Sequence, residues 1–264
     1  MVASASDPGA GASTADPGVG ASAADPGVLA SAEVVDAFRP LGVVAFTTTR
    51  PAGSFGLASA EPVAAVMDRW SRLLADCRAV GADALASAGQ VHGAAVAHHE
   101  AGWRGWLRGR DRDGHVTSAP GLALAVTVAD CTPVFLAHPG GALAMLHAGW
   151  RGTAAGILEA GLSALRALGA PPEEVVMHCG PAICGGCYEV GPEVLAAVTE
   201  QPARGPGYLD VRAVLADRAR RAGVRSVTVS PWCTRCHNDR FFSHRAGDAG
   251  RQLGVLLRPA PVGG

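Results

Sequence analysis

The chain has 264 residues, of which 48% are hydrophobic and 17% are charged, a composition typical of a globular protein. Its 22 basic and 23 acidic residues give a net charge of −1, so electrostatic attraction to nucleic acid or to an anionic membrane is not expected. Every basic residue is arginine, which excludes a lysine Schiff base. No run approaches the ~20 apolar residues of a transmembrane helix, and no secretory signal is visible, so a cytoplasmic location is predicted.

Residues 1–33 consist mostly of Ala, Gly, Ser and Pro and repeat Asp-Pro-Gly at Asp7, Asp16 and Asp25. Such a tract has no large apolar side chains to offset the entropy lost on ordering. We therefore predict a disordered tail over 1–33. Residues 34–264 contain no convincing linker, and we predict a single domain there.

The periodicity of apolar residues predicts the elements that follow. Short strands are expected at 41–49, 94–97, 122–128, 134–137, 142–146, 175–177 and 226–230. Helices are expected at 63–77, 153–168, 192–199 and 210–222, the last with Asp210 as N-cap and Gly223 as its end. Because strands and helices alternate without the regular βαβ rhythm of a doubly wound sheet, a mixed α/β sandwich is the predicted class.

Polar residues lie at the ends of three predicted strands, and packing in a hydrophobic core does not explain why they occur there. His92 precedes one strand, Cys131 follows another, and His147 lies between a strand and a helix. Strand ends hold side chains rigidly while leaving their tips open. Two imidazoles and a thiolate would make a three-ligand zinc site with a fourth position open to water or substrate. The alternative is two structural histidines and a buried thiol.

The seven cysteines also include two C-x-x-C pairs, Cys184/Cys187 and Cys233/Cys236. Such pairs are typical of a structural zinc ribbon, although a gap of 45 residues is long for one. Cys233 to His237 additionally spells C-x-x-C-H, the attachment sequence of c-type haem. Reduced thiols without a ligand are the remaining interpretation.

Two arginine-rich stretches are interpreted as solvated surface. Residues 103–110 interleave tryptophan with arginine, a composition that can stack on nucleic acid. Two aspartates follow within three residues, so a surface loop is the preferred interpretation. Arg218, Arg220, Arg221 and Arg225 are interpreted as an exposed helix face.

Several of these segments together resemble a known family. The segments are Gln90–Gly93, Ala129–Pro133, His147–Gly152, Gly180–Ile183, Cys187–Gly191, Phe241–Arg245 and Gly250–Arg251. In this order they are similar to the polyphenol oxidoreductase laccase family, also called the peptidoglycan editing factor family, over roughly residues 40–257. His-Ala-Gly-Trp-Arg-Gly is the most specific of the motifs.

The resemblance implies an α-β-β-α sandwich and zinc on His92, Cys131 and His147, with copper as the alternative metal. Family members are described as zinc-containing purine nucleoside phosphorylases that also deaminate adenosine and phosphorolyse methylthioadenosine. A purine nucleoside and phosphate are therefore the expected partners. The loop at 56–61 lacks the family's asparagines, and His244 stands where the family commonly has tyrosine. Both departures concern substrate preference more than metal binding.

Chemistry suggests roles for four further residues. Glu189 is a candidate proton carrier for deamination. Arg50 and Arg151 neighbour the proposed site, and their guanidinium forks suit a phosphate dianion. Alternatively, Arg151 could form a salt bridge that stabilises its own turn, and the Glu189 carboxylate could orient neighbouring backbone groups. Asp130, next to Cys131, is expected to orient another group.

Three other functions remain open. A cysteine amidase acting on cell-wall peptides would use Cys131 as nucleophile and His147 as base without a metal. A copper-dependent polyphenol oxidase would need several clustered histidines, and the nine histidines here show no His-x-His spacing of that kind. A non-enzymatic zinc-binding module would rely on the two C-x-x-C pairs.

Overall fold

The computed structural model describes residues 27–261. Their strands are β1 (Glu33–Val34), β2 (Val44–Thr47), β3 (Ala84–Ala88), β4 (Val96–His98), β5 (Gly105–Gly109), β6 (Gly114–Thr117), β7 (Leu122–Val128), β8 (Thr132–Ala137), β9 (Leu143–Ala148), β10 (Val176–Cys179), β11 (Glu189–Val190), β12 (Gly207–Tyr208), β13 (Ser226–Val229) and β14 (Gln252–Leu257). The helices are α1 (Val63–Ala79), α2 (Trp150–Ala154), α3 (Ile157–Ala167), α4 (Pro192–Thr199) and α5 (Val211–Arg221). Within this range, no helix combines the length and the apolar character that crossing a membrane would require.

Twelve of these strands build two six-stranded sheets. The first sheet has the order β1-β2-β14-β7-β3-β5, and the second has the order β13-β10-β8-β9-β6-β4. Both sheets are mixed. In the first, β3 runs parallel to β5 and β7 while β14 runs antiparallel to β2 and β7. In the second, β10 runs parallel to β13 and antiparallel to β8. The short strands β11 and β12 pair with each other.

The two sheets pack face to face because their strands are apolar on both sides. Along β7, Leu122, Leu124, Val126 and Val128 belong to the core between the sheets. The intervening Ala123 and Ala125 face the opposite way, into a core shared with α1. Such burial on both faces explains the continuous apolar run of this strand.

Helices cover both outer faces. Helix α1 packs on the first sheet through Val66, Trp70, Leu73 and Cys77, as the predicted apolar stripe required. Helices α3, α4 and α5 pack on the second sheet. The layers are therefore α, β, β and α, and the predicted fold class is confirmed.

The predicted helix over 153–168 is wrong as a single element. The structure divides it into α2 and α3, and α2 begins three residues earlier, at Trp150. Gly156 lies between them with φ of +83°, a left-handed conformation that a glycine adopts without strain. Two other predictions match exactly, since β7 spans 122–128 and α4 spans 192–199.

The loop predicted at 103–110 is also wrong, although the arginines of this stretch are exposed as expected. Residues 105–109 form β5, an edge strand paired in parallel with β3. Trp106 stacks on Trp70 of α1 with ring centroids 4.2 Å apart and planes 8° apart. This aromatic packing accounts for the tryptophan that suggested nucleic-acid stacking.

The interpretation of Arg218 as part of an exposed helix face is wrong as well. Its side chain is buried, and Nη1 donates to the carbonyl of Thr153 at 2.7 Å. Nη2 donates to the carbonyl of Val198 and to Glu200. Arg218 therefore joins the ends of α2 and α4 to α5.

Residues 1–26, most of the predicted tail with all but the last glycine of its three Asp-Pro-Gly copies, lie outside the described residues. Residues 27–33, the rest of that predicted tail, contact the body of the protein. The backbone N–H of Val28 donates to Asp76 of α1 at 2.6 Å, and Val28 is buried. The hydroxyl of Thr49 donates to the carbonyl of Ser31.

Candidate metal centre

Three polar side chains meet where strands of the two sheets end. His92 follows β3, Cys131 joins β7 to β8, and His147 is in β9. Antiparallel pairing sets Pro133 opposite His147 and Thr132 opposite Ala148, which places Cys131 at the end of β9. The nitrogen and sulfur ligand atoms of His92, Cys131 and His147 all lie within 4.8 Å of one another. The structure thus brings together the three residues that the sequence singled out.

Glycine makes room for this cluster. A Cβ on Gly149 would lie 2.9 Å from Cys131 Sγ and 3.2 Å from His92 Cδ2. A Cβ on Gly152 would lie 2.9 Å from the carbonyl oxygen of Gly93. The motif after His147 therefore needs glycine so that its backbone can approach the other two side chains.

Asp113 organises both histidines, although the sequence gave no reason to single it out. Its fully buried carboxylate accepts hydrogen bonds from the backbone N–H groups of Val91, His92 and Gly93 at 2.8–3.2 Å. It also lies 2.8 Å from His147 Nδ1. That contact leaves His147 Nε2 as the nitrogen that can bind a metal, an arrangement common around zinc-binding histidines.

The charges of the cluster favour the ionised forms of Cys131, Asp113 and His147. Burial lowers the pKa of His147, but the Cys131 thiolate and Asp113 outweigh burial and raise this pKa to about 9, so a metal ion that binds His147 displaces a proton. Burial raises the pKa of Cys131, but the neighbouring His147 and His92 outweigh burial and hold this pKa low, at about 6. Burial also opposes ionisation of Asp113, while hydrogen bonds from His147 and Gly93 keep its pKa below the usual value. A thiolate and two imidazoles are the donors that zinc prefers, so the residues present fit this metal.

The cluster lies between two cavities. The first, of about 470 Å³, is lined by all three candidate ligands and by Arg108 and Arg251. The second, of about 450 Å³, is lined by His92, Cys131, Trp150, Arg151, Tyr188 and Arg245. His147 is 3% exposed, whereas His92 is exposed and Cys131 is half-buried. A metal held here would therefore be reached from two directions.

The predicted catalytic residues are distributed unequally. Arg151 lines the second cavity, where its guanidinium lies over the Trp150 ring at 4.2 Å. Arg50 lines neither of these two cavities. Its guanidinium instead donates to the carbonyl groups of Asn238 and Phe241 and to the carboxylate of Asp248. Glu189 is exposed on β11, opposite Tyr208, and also lines neither of these two cavities.

Other polar or charged residues also line one or both cavities. His244, noted from the sequence only as a departure from tyrosine, lines both cavities. Arg245 lies over the Tyr188 ring at 4.9 Å. Asp130 holds this wall in place, accepting from the backbone N–H of Arg245 and from the hydroxyl of Thr234, each at 2.6 Å. The carboxylate of Asp130 thus orients Thr234 and Arg245 at the cavity wall and, within residues 27–261, makes no hydrogen bond to a candidate metal ligand.

Comparisons with known proteins extend these observations. The family model described as multi-copper polyphenol oxidoreductase laccase matches residues 48–259. A purine nucleoside phosphorylase of Streptomyces coelicolor is 42% identical over 180 residues, which are 63% of this chain and 72% of that protein. An adenosine deaminase from an unknown prokaryote is 35% identical over 147 residues, 50% of this chain and 56% of the relative. A crystal structure of a Neisseria meningitidis protein superposes with a TM-score of 0.75 at 27% identity, covering 87% of this chain and all of that one.

Proposed function

The chain belongs to the multi-copper polyphenol oxidoreductase laccase family, and from its relatives and its three candidate metal ligands we propose that it is a zinc-dependent purine nucleoside phosphorylase. Relatives named purine nucleoside phosphorylase place it among enzymes of purine metabolism. The observation that carries the proposal is a three-ligand centre open to two cavities at once. A phosphorylase must bring two substrates, a nucleoside and phosphate, to one carbon atom.

His92, Cys131 and His147 would hold the zinc ion, with Asp113 fixing the orientation of the histidines. Bound there, the ion would supply a Lewis acid beside the substrate. The protein residues have the separate task of placing the nucleoside and the phosphate on opposite sides of the cluster.

We place phosphate in the second cavity and the nucleoside in the first. Arg151 and Arg245 both line the second cavity, and two guanidinium groups can neutralise a phosphate dianion. In the reaction, a phosphate oxygen forms a bond to the ribose anomeric carbon as the bond from that carbon to the purine nitrogen breaks. The bonding electron pair leaves with the purine, which requires a proton.

His244 is the residue proposed to supply that proton. It lines both cavities, so its imidazole can reach the boundary between the two substrates. Imidazole is the group that enzymes most often use for acid–base catalysis. The exposed position of Glu189 outside both cavities makes it a weaker candidate for the proton carrier that the sequence suggested.

Adenosine deamination and phosphorolysis of methylthioadenosine are proposed as additional activities. The relative named adenosine deaminase supports the first of them. Deamination needs water instead of phosphate, and the same open centre could admit it. The two reactions on adenosine differ in product, since one yields adenine and the other inosine.

The direct experiment incubates purified protein with inosine, with and without phosphate, and measures hypoxanthine and ribose 1-phosphate. Phosphate-dependent appearance of both products is expected. Adenosine under the same conditions separates adenine from inosine. Absence of any purine base or inosine in these assays would refute the proposed activity.

The phosphate assignment is tested with Arg151→Gln and Arg245→Gln. Each should raise the KM for phosphate more than the KM for inosine, because the guanidinium that faces phosphate is removed. Arg166→Gln, an exposed arginine on α3 away from both cavities, serves as the matched control. Equal changes in both KM values would contradict the placement of phosphate beside Arg151 and Arg245.

A cysteine amidase remains the second candidate, because the lowered pKa of Cys131 also suits a nucleophilic thiolate beside His147. Zinc chelation separates the two functions. A phosphorylase should lose activity with the metal and regain it on adding zinc, whereas a metal-free thiolate hydrolase should cleave a cell-wall peptide amide in the chelated state. Recovery of oxidase activity with copper alone would favour the polyphenol oxidase instead.

A further inference from the structure

Four cysteines outside the candidate centre form a second cluster. Cys184 and Cys187 come from the segment before β11, and Cys233 and Cys236 come from the segment after β13. Their four Sγ atoms lie within 4.8 Å of one another, and Cys187 Sγ is 3.4 Å from Cys236 Sγ. Zinc–sulfur bonds of about 2.3 Å would set sulfur atoms about 3.8 Å apart in a tetrahedron. The cluster needs little rearrangement to reach that geometry.

Backbone hydrogen bonds favour negative charge on one of the four sulfur atoms, that of Cys233. The N–H groups of Cys184 and Cys236 both donate to Cys233 Sγ, at 3.3 and 3.4 Å. Donors aimed at a sulfur atom favour its thiolate form, which is the form that binds metal. Each pair also lies on a tight turn, because Cys187 N–H donates to the carbonyl of Cys184 and His237 N–H to that of Cys233.

The surroundings suit a closed metal site at the surface. Cys233 is buried, Cys184 and Cys187 are half-buried, and Cys236 is exposed. The guanidinium of Arg235 donates to the carbonyl of Cys187 at 3.3 Å, which places a positive charge beside the cluster. An ion could enter from the exposed side, and four thiolates would leave it no open position for substrate.

We propose that Cys184, Cys187, Cys233 and Cys236 bind a zinc ion as four thiolates, forming a structural site separate from His92, Cys131 and His147. A tetrahedral set of four sulfur ligands is the arrangement that structural zinc prefers. Binding releases the thiol protons, so no oxidant or reductant is involved.

The site would fasten together the two segments that form one wall of the second cavity. Tyr188 follows Cys187 directly, and Arg245 lies nine residues after Cys236 in the same segment as His244. Thr234, next to Cys233, donates through its hydroxyl to Asp130, the neighbour of Cys131. A zinc ion between the two segments would therefore position the cavity wall relative to the candidate centre.

Metal content of the purified, reduced full-length protein tests the proposal without reference to any activity. We expect two zinc ions per chain in the wild type and one in Cys187→Ser/Cys236→Ser. Cys131→Ser should retain one, held by the four cysteines. Cys77→Ala, a buried thiol of α1 outside both clusters, is the matched control and should retain two.

Single variants at the exposed Cys236 guard against misfolding. Cys236→Ala should lose the second zinc ion, whereas Cys236→His, which keeps a ligand atom, should retain it. Cobalt loading gives an independent readout, because tetrahedral cobalt thiolates absorb strongly in the visible range. The strong absorption of a centre with four thiolates should persist in Cys131→Ser. In Cys187→Ser/Cys236→Ser only the weaker absorption of a centre with the single thiolate of Cys131 should remain.

Three results would overturn the proposal. One is zinc content unchanged by loss of Cys187 and Cys236. Another is iron instead of zinc in the four-cysteine site. The third is an unreduced wild-type mass that shows these cysteines joined as disulfides. Failure of the phosphorylase assay would not affect any of these measurements, so the two proposals fail separately.

Discussion

Four donors converge on the carboxylate of Asp113: three consecutive backbone N–H groups and the ring of His147. His92 itself has φ of +61°, a left-handed conformation that is uncommon for a residue with a side chain. The hydrogen bonds from residues 91–93 compensate for that conformation. One buried side chain therefore sets the orientation of two candidate metal ligands.

Asp113→Asn should weaken zinc binding about 10- to 100-fold, because the amide loses the negative charge and accepts fewer hydrogen bonds. Competition with a zinc chelator measures the change, and circular dichroism reports whether the fold persists. Asp111→Asn is the matched control, since Asp111 is exposed and its left-handed φ of +54° is tolerated by asparagine. Equal zinc affinity in Asp113→Asn and the wild type would remove Asp113 from the centre.

A second residue-scale prediction concerns His115, which is buried beside His99 with a ring–ring nitrogen distance of 2.9 Å. Burial, and then the nearby His99, lower the pKa of His115 from 6.5 to about 3, although Asp113 opposes this. Between about pH 6.5 and pH 3, the unfolded chain thus binds a proton here that the folded chain does not. The free energy of unfolding should fall on acidification by up to about 1.4 kcal/mol per pH unit from this group.

Urea unfolding at pH 7, 6 and 5 measures this dependence. His115→Gln keeps hydrogen-bonding atoms next to His99 but cannot titrate, so its unfolding free energy should fall less steeply with acidification. Identical pH slopes for the variant and the wild type would show that His115 is not the responsible group.

The sequence identified His92, Cys131 and His147 because strand ends leave polar tips exposed, and the structure brings exactly these side chains together. It missed Asp113, which stands among charged neighbours and looks like part of a solvated turn. The contacts of Arg50 were equally hidden from the sequence. Proximity in sequence to a motif does not reveal that its guanidinium is taken up by Asp248 and the carbonyls of residues 238 and 241.

At the scale of elements, the meeting point of α2, α4 and α5 depends on Arg218. Its side chain donates to the carbonyl groups of Thr153 and Val198, near the ends of α2 and α4. The Thr153 carbonyl also accepts from the backbone N–H of Gly156. Arg218→Ala would remove the charged donor from the Val198 carbonyl and from Glu200 and one donor from the Thr153 carbonyl. We expect a loss of about 2–4 kcal/mol in the free energy of unfolding, measured by chemical denaturation.

Arg220→Ala on the same helix is the matched control, because Arg220 is exposed. It should change the unfolding free energy by no more than about 0.5 kcal/mol. A similar loss in both variants would mean that helix propensity, rather than the buried contacts of Arg218, determines the effect.

Helices and strands were predictable from the sequence where a local pattern of apolar, proline or capping residues determines them. The apolar run of β7 and the Pro192 start of α4 gave the correct bounds, and Asp210 caps α5 by accepting from Ala213 N–H as expected. Contacts between distant segments were not predictable. β5 forms because β3 offers it a parallel partner and Trp70 a ring to stack on, neither of which is local in sequence.

At the scale of the whole molecule, the close approach of the two sheets depends on Gly254 in β14. A Cβ there would contact the end of Met145 in β9 and would lie 2.8 Å from Pro133 Cβ in β8. Gly254→Ala should therefore destabilise the protein by about 1–3 kcal/mol through overpacking between the sheets. The melting temperature and denaturant midpoint measure this loss.

Gly205→Ala provides the control, since nothing lies within 4 Å of a Cβ at Gly205. That substitution should leave the unfolding free energy within about 0.5 kcal/mol of the wild type. If Gly254→Ala were equally harmless, the sheets would have to separate readily, and the core between them would be looser than its packing indicates.

The position of β14 has a consequence for how the chain is made. This strand comes last among the described strands, yet it lies between β2 and β7 and pairs with both. Synthesis proceeds from the N-terminus. The backbone N–H and C=O groups with which β2 and β7 pair to β14 therefore have no strand partner until residues 252–257 emerge from the ribosome. Nascent chains are therefore expected to depend on chaperones until residues 252–257 are released, although all three candidate metal ligands are translated more than a hundred residues earlier.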